Sequence, residues 1–191
     1  VIDHETTILT GDLTHDDEGT VYEKVEERGI PKLLFDHFPG RLEYHAPWHT
    51  DRKLSHLFRG KVDVKEGNDL LHEHGHDDLR LLDNGAIGRP MPGIEITHAY
   101  HLVPKDVSKA TAVAAHMRAR GYERDETVGI GDSVEDLEVA AAVGRFFVVA
   151  NGPERDAGLR KALSRFDNVT VTEGAMGEGF YEAVVATLMS R

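Results

Sequence analysis

The sequence predicts an α/β protein written in two styles of chain, with the change of style near residue 98. Residues 1–98 mix short strands, short helices and hairpin signals, the pattern of an α+β module. Residues 99–191 alternate helix and strand regularly, the pattern of a parallel βαβα sheet. Within that second part, Thr127-Val-Gly-Ile-Gly131 runs directly into Asp132-Ser-Val-Glu-Asp136. A β-branched, Gly-punctuated run followed by an acid and a helix start fits a buried parallel strand that ends at a ligand crevice.

Taken in order, residues 6–10 are a short β-branched run expected to be a strand, and residues 11–19 an acidic loop. Residues 21–28 have helical character and stop at Gly29, and Pro31 can open a second short helix closed by Pro39-Gly40. Residues 41–45 and 54–62 alternate and are expected as antiparallel strands, joined by a loop that holds Trp48. Residues 64–74 are a helix with Leu70 and Leu71 inward. Residues 79–82 form a strand, and Asp83-Asn-Gly85 is a tight-turn signal from which 86–87 would return. Gly88-Arg-Pro-Met-Pro-Gly93 is the clearest breaker, followed by a strand at 98–103. The second part then gives a helix at 108–120 with Ala110, Val113, Ala114 and Met117 on one face, and the strand at 127–131. Strands at 145–150 and 169–171 and helices at 154–164 and 177–189 complete it.

Composition narrows the function. The chain has 191 residues, is 40% hydrophobic and carries a formal net charge of -12, which argues against a nucleic-acid backbone or an anionic membrane as partner. No cysteine is present, so disulfides and thiolate metal sites are excluded. The acidic, cysteine-free composition without an apolar run of transmembrane length is expected of a cytoplasmic protein. Val1-Ile-Asp-His is not a natural start, so either the initiator region was removed or the chain is a piece of a longer protein.

Three clusters carry candidate chemistry. Asp132 leaves the carboxyl end of a strand, and Asp136 lies one helical turn on, so the carboxylates converge and would repel without a cation or proton between them. Hard oxygen donors favour Mg²⁺, although Asp132 could equally cap the helix that Ser133 begins. Lys109, near a helix start after Ser108, is opposed by the helix dipole unless an anion such as phosphate shares the place. His72-Glu-His-Gly-His76 looks like a metal tract, but these histidines sit at a helix end, where capping and solvation explain them.

Lys109 and Gly131-Asp-Ser-Val-Glu-Asp-Leu137 together are more specific than either alone. Ser108-Lys-Ala, an amphipathic helix, Gly121-Tyr and a strand into Gly-Asp-Ser-x-x-Asp-Leu resemble the third and fourth motifs of the haloacid dehalogenase superfamily. The likeness is to its Cof-type and mannosyl-3-phosphoglycerate phosphatase-like branches. It implies an α+β cap domain over residues 1–98 and the closing half of a Rossmann-like parallel core over 99–191. It implies a Mg²⁺-dependent phosphatase of a small phosphorylated metabolite, such as a sugar phosphate or phosphoglycerate derivative. Lys109 would hold the phosphoryl group as the catalytic lysine, and Asp132 and Asp136 would form or support the metal site. Gly131 and Ser133 would shape the loop, and Lys109, Ser133 and Asn151 are the substrate-binding candidates. Arg52, His56, Arg59 and the 83–85 turn are polar groups of the cap that could face the substrate.

The first and second motifs of that superfamily, which hold the nucleophilic aspartate and a Ser or Thr, have no counterpart here. Asp16-Asp-Glu-Gly-Thr20 mimics the first loosely, but no apolar strand precedes it. Three readings stand. The sequence is part of the protein, the N-terminal half is a separate segment or chain, or this is a degenerate relative kept as a non-catalytic binding or regulatory module. The intact third and fourth motifs favour the first. On that reading the chain alone is not a competent phosphatase. A related phosphotransferase or mutase would share the same covalent intermediate.

Overall fold

A computed structural model describes residues 8–11, 13 and 19–190. Residues 8–10 are not in a strand. The rest of the strand expected at 6–10, and the acids Asp16, Asp17 and Glu18, lie outside the described residues. The chain divides into one compact unit over Ile8–Val107 and a second that takes up the chain from Ser108.

The first unit is a helix-backed antiparallel sheet. Its helices are α1 (Val21–Glu27), α2 (Ile30–His37) and α3 (Val64–Glu73), and its strands β1 (Leu42–Tyr44), β2 (His56–Gly60), β3 (Leu79–Ala86) and β4 (His98–Pro104). The sheet order is β1-β2-β4-β3, antiparallel throughout. Thr20 opens α1 with a reciprocal cap, its hydroxyl accepting from the Glu23 N–H while the Glu23 carboxylate accepts from the Thr20 N–H. Asp63 caps α3 through the Glu66 N–H. Side chains alternate across a pleated sheet. Leu42, Phe58, Leu79, Leu81, Tyr100 and Leu102 therefore share one face, and they bury against Val21, Val25, Ile30, Leu34, Leu70 and Leu71 of the helices.

Two expectations change here. Asp83-Asn-Gly85 does not reverse the chain. Strand β3 continues through it to Ala86, with a register shift against β4 between Asp83 and Ala86. Gly85 takes φ 89° there and its N–H donates to the Asp83 carboxylate, so the residues that signal a turn build a β-bulge instead. The strand at His98–Pro104 pairs with both β2 and β3. It is part of the antiparallel sheet, and the division between units consequently falls at Val107/Ser108 and not near residue 98.

His56, expected among groups facing a substrate, instead lies on the helix side of the sheet and is 0% exposed. Its ring stacks on Tyr22 at 3.9 Å, and Nε2 lies 3.0 Å from Glu26 Oε1, which also accepts from the Tyr44 hydroxyl. Burial lowers its pKa from 6.5 to about 4, against the upward pull of Glu26.

The second unit holds α4 (Lys109–Arg120), β5 (Val128–Gly131), α5 (Val134–Leu137), β6 (Arg145–Val148), α6 (Asn151–Arg155), α7 (Ala157–Ala162), β7 (Val169–Val171) and α8 (Met176–Met189). The strands form a parallel sheet in the order β5-β6-β7, as the alternation of elements predicts. Met117, Leu137, Val139, Phe146, Val148 and Leu159 make its core. Strand β5 is not the buried strand expected. Among the described residues it pairs only with β6, and Val128 is exposed. Helix α8 buries Gly179 and Ala183 but exposes Phe180, Tyr181, Leu188 and Met189.

The buried, neutral His56 gives a pH dependence with a definite sign. Its pKa is depressed in the folded state, so its contribution is complete above about pH 6.5 and is lost as pH falls toward 4. The full contribution is about 3 kcal/mol. Urea unfolding followed from about pH 7 down to about pH 4.5 should show this loss, and His56→Phe should flatten the profile. An equally steep profile in the variant would assign the dependence to other groups.

Candidate active site

The site is built where parallel strands end side by side. Gly131 of β5 is in register with Val148 of β6, and the Val149 N–H donates to the Gly131 carbonyl at 3.1 Å. The chain leaving β5 through Asp132 and the chain leaving β6 through Asn151 therefore emerge together, at the carboxyl edge where parallel sheets place ligands. The third contributor is α4. Ser108 caps it, its hydroxyl accepting from the Thr111 N–H and the Thr111 hydroxyl oxygen accepting from the Ser108 N–H. Lys109 follows as the first residue of the helix.

Asp136 binds these parts together. Lys109 Nζ donates to its Oδ1 at 2.6 Å. The Ser133 hydroxyl and the Asp132 N–H donate to its Oδ2 at 2.8 and 3.2 Å. Ser133 Oγ in turn accepts from the Asp136 N–H at 3.1 Å, which caps α5. Partial burial works to raise the Asp136 pKa, but the bonds from Lys109, Ser133 and Asp132 hold it below the ordinary carboxylate value. Partial burial likewise works against the Lys109 charge, and the Asp136 bond, with the nearby Glu135 and Asp132 charges, holds its pKa above the ordinary value. The anion that offsets Lys109 at a helix N-terminus is thus already in the chain.

The fit is tight. A Cβ added at Gly131 would stand 2.3 Å from Asp136 Cβ, and one at Gly152 would stand 2.7 Å from the Asp132 carbonyl oxygen. Only glycine lets the loops approach this closely. Asn151 is buried and clips the arrangement from the other side. Its Nδ2 donates to Asp132 Oδ2 at 3.2 Å, and its Oδ1 accepts from the Met176 N–H at 2.7 Å. Met176 sits at φ 51°, a left-handed conformation unusual for a non-glycine residue, at the first position of α8. Sequence reasoning gave Asn151 no such bridging role. The one local signal was its place just after an apolar strand and just before Gly152-Pro153.

All the candidates named from the sequence in this part of the chain, Lys109, Asp132, Ser133, Asp136 and Asn151, come together. They do not face outward equally. Asp136 and Ser133 spend their polar atoms on one another, on Lys109 and on the loop. Asp132 is exposed, and the Lys109 side chain is 54% exposed against 20% for Asp136. An ammonium has three N–H donors, so Lys109 retains capacity for an anion beyond Asp136. For Mg²⁺ the donor chemistry fits in part. Asp132 offers a hard, accessible carboxylate, and Mg²⁺ is commonly held by one or two carboxylates with the remaining positions filled by water and substrate phosphate. Among the described residues no group of three or more His, Cys, Asp or Glu could hold a metal alone. The histidine tract is dispersed accordingly: His72 Nδ1 meets Asp77, His74 meets the Leu70 carbonyl at the end of α3, and His76 meets Arg28.

Known proteins resemble this chain in sequence and fold. Residues 95–162 match the family model of haloacid dehalogenase-like hydrolases. A phosphoglycolate phosphatase of Methanoculleus marisnigri is 32% identical over 156 residues, spanning 80% of this chain and 57% of the relative. A phosphoglycolate phosphatase of Methanosarcina mazei is 29% identical over 135 residues, 71% of this chain and 50% of the relative. The chain spans about half the length of the curated relatives it matches. Among solved structures, the sucrose-phosphatase of Synechocystis in complex with sucrose and phosphate superposes with a TM-score of 0.63 at 15% identity, covering 86% of this chain and 64% of that one. A Thermoplasma acidophilum structure gives 0.55 at 18% identity, covering 83% and 60%. These likenesses show the fold, an α/β one that joins the closing half of a Rossmann-like parallel core to an α+β unit.

The loop should depend on Asp136 even without any ligand. Asp136→Ala leaves Lys109 and the Asp132 N–H without their acceptor and should destabilise the protein by about 1–3 kcal/mol in urea unfolding. Gly131→Ala forces the same carboxylate aside and should cost a similar amount, about 1–3 kcal/mol. If both variants stay within about 0.5 kcal/mol of the parent, this loop is not held in the way described.

Proposed function

We propose that this chain is the cap and closing core half of a Mg²⁺-dependent haloacid dehalogenase-type phosphatase, acting on a small phosphorylated metabolite for which 2-phosphoglycolate is the first candidate. The observation that carries this reading is the placement of Lys109, a cation at the start of α4, and Asp132, an accessible carboxylate after β5, both held by Asp136. The match of residues 95–162 to haloacid dehalogenase-like hydrolases and the relatives' activity support it.

In this reading Lys109 holds the phosphoryl oxygens and stabilises the charge that gathers on them during transfer. Asp136 is the positioning residue: it fixes the lysine in place and keeps it charged. Asp132 is the ligand this chain would offer to Mg²⁺, with Asp136 supporting it through the Asp132 N–H. When bound, the metal would neutralise phosphate charge. Ser133 and Asn151 hold the loop against which substrate binds. The attacking group is an aspartate outside this chain. It displaces the alcohol from phosphorus to form an aspartyl-phosphate, which water then hydrolyses to phosphate. We assign the edge of β5 that is unpaired among the described residues, and the exposed apolar residues of α8, to the N-terminal half of the core, in the same polypeptide or as a separate one. The acidic, cysteine-free composition is consistent with a cytoplasmic enzyme.

Joined to its upstream half, the protein should release phosphate from 2-phosphoglycolate when Mg²⁺ is supplied, while the 191-residue chain alone should not. Asp132→Asn and Lys109→Ala should each lower turnover by about 100-fold or more. Turnover unchanged in either variant would remove that residue from the mechanism. Lack of release by the joined protein, with binding retained, would leave a non-catalytic module.

A further inference from the structure

The loop that leads from β7 into α8, residues 172–175, is gripped by the helix it enters. The Glu173 N–H donates to both oxygens of the Glu182 carboxylate, at 3.1 and 2.9 Å, and the Gly174 N–H donates to its Oε2 at 3.0 Å. The Gly174 carbonyl accepts from the Thr172 hydroxyl at 2.7 Å and from the Ala150 N–H at 3.2 Å. Ala150 directly precedes Asn151, so the residue that Glu182 holds also holds the backbone that carries Asn151. The approach leaves no room for side chains. A Cβ added at Gly179 would stand 2.3 Å from the Gly174 carbonyl oxygen, and one at Gly174 would stand 2.8 Å from the Gly179 nitrogen. Thr172 and Asn151 are both 4% exposed.

Met176 comes next, at φ 51°, with its N–H donating to Asn151 Oδ1 at 2.7 Å. A left-handed conformation at a non-glycine residue persists only where the surroundings over-determine it, and the Glu182 and Gly174 contacts supply that constraint. The consequence is chemical. A backbone N–H can only donate, so Asn151 must turn its oxygen toward Met176 and its Nδ2 away from it. On that other side Nδ2 donates to Asp132 Oδ2 at 3.2 Å. A reversed amide would set oxygen against carboxylate and N–H against N–H, and both contacts would repel. Among the described residues Asp132 Oδ1 has no hydrogen bond, so the carboxylate is gripped by one oxygen and offers the other.

We propose that Glu182 is a positioning residue for Asp132, acting through Gly174, Met176 and Asn151 to fix which oxygen the carboxylate presents. The role rests on the reading of Asp132 as the carboxylate offered to Mg²⁺, but the orientation of Asn151 does not. An oxygen already held in place loses less freedom when it takes a cation. Partners behind a metal ligand tune affinity in this way, by orienting the ligand without touching the metal.

The test follows the Asn151 side-chain amide signals by NMR in the 191-residue chain, and then the Gly131 and Asp132 amide signals as Mg²⁺ is titrated in. Glu182→Ala frees the Glu173 and Gly174 N–H groups. It should move the Asn151 Nδ2 proton signals toward those of an amide in water and raise the half-saturating Mg²⁺ concentration by about fivefold or more. Glu182→Gln keeps the reach and an accepting oxygen, and should return both readouts to within about twofold of the parent. Glu182→Asp, one methylene short, should fall between, and it supplies the same readouts should the alanine variant not fold. Lower stability with unmoved Asn151 signals in the folded variants would make Glu182 merely structural and overturn the proposal. Moved signals with unchanged Mg²⁺ affinity would also overturn it. Moved signals where the parent itself shows no Mg²⁺ response would support the link from Glu182 to Asn151 and Asp132 and remove the cation reading of Asp132, so the two ideas fail separately.

Discussion

The Asp136 carboxylate is the constraint on which the second unit turns. It receives the Lys109 ammonium from one helix, the Ser133 hydroxyl from its own helix start and the Asp132 N–H from the end of a strand. Bonds to a charged acceptor are each stronger than neutral ones, and a partly buried carboxylate without donors would be costly. The geometry tolerates no Cβ at Gly131. A lysine at a helix N-terminus is thereby made stable and its direction fixed, which is what the proposed phosphoryl-binding role would require. The same bonds explain why the acids that look equivalent in sequence differ in role: Asp136 is engaged internally, while Asp132 remains accessible.

The two units solve the problem of burying a sheet differently. In residues 8–107 the helices cover one face of the antiparallel sheet, and the core there is continuous. In the second unit the parallel sheet of β5, β6 and β7 leaves one edge of β5 unpaired among the described residues, and α8 exposes aromatic and aliphatic residues on the surface. Parallel sheets are normally covered on both faces, and unpaired edges with nearby apolar surface favour association. On the proposed reading, further strands of the core would cover that edge.

The sequence carried most of the element pattern because periodicity is local. Caps and breakers placed α1, α2, α3 and α4 within a residue or two; the convergence of Asp132 and Asp136 was legible from the strand–acid–helix pattern, and that of Lys109 with them was implied only by the family resemblance. What it did not carry was pairing. Asp83-Asn-Gly85 satisfies a turn and a bulge equally, since both need a residue at positive φ, and only the partner strand decides. An apolar strand at 98–104 reads the same in either sheet, so its membership, and with it the boundary between the units, needed tertiary information. The run at 127–131 reads as buried because its residues suit burial, but burial requires neighbours that these residues do not name. For His56 and Arg59 the face of the strand was decisive. Their spacing of three residues along β2 is odd, so one points into the core and the other to the opposite side.

Charge balance sets how the candidate active site can be filled. The Lys109 charge faces Asp136 and lies near Asp132 and Glu135, so the loop as it stands is net negative. A phosphate dianion brought there alone would gain one ammonium and meet several carboxylates, an unfavourable exchange even with the screening that exposure allows. A divalent cation alone would find Asp132 but also the lysine. Brought together, cation and phosphate neutralise what each leaves unmatched. The Asp136 bond is central to this coupling. On the proposed reading, offsetting Lys109 would keep the lysine from attracting anions indiscriminately and leave the accessible charge at Asp132 to select a ligand that arrives with its counterion.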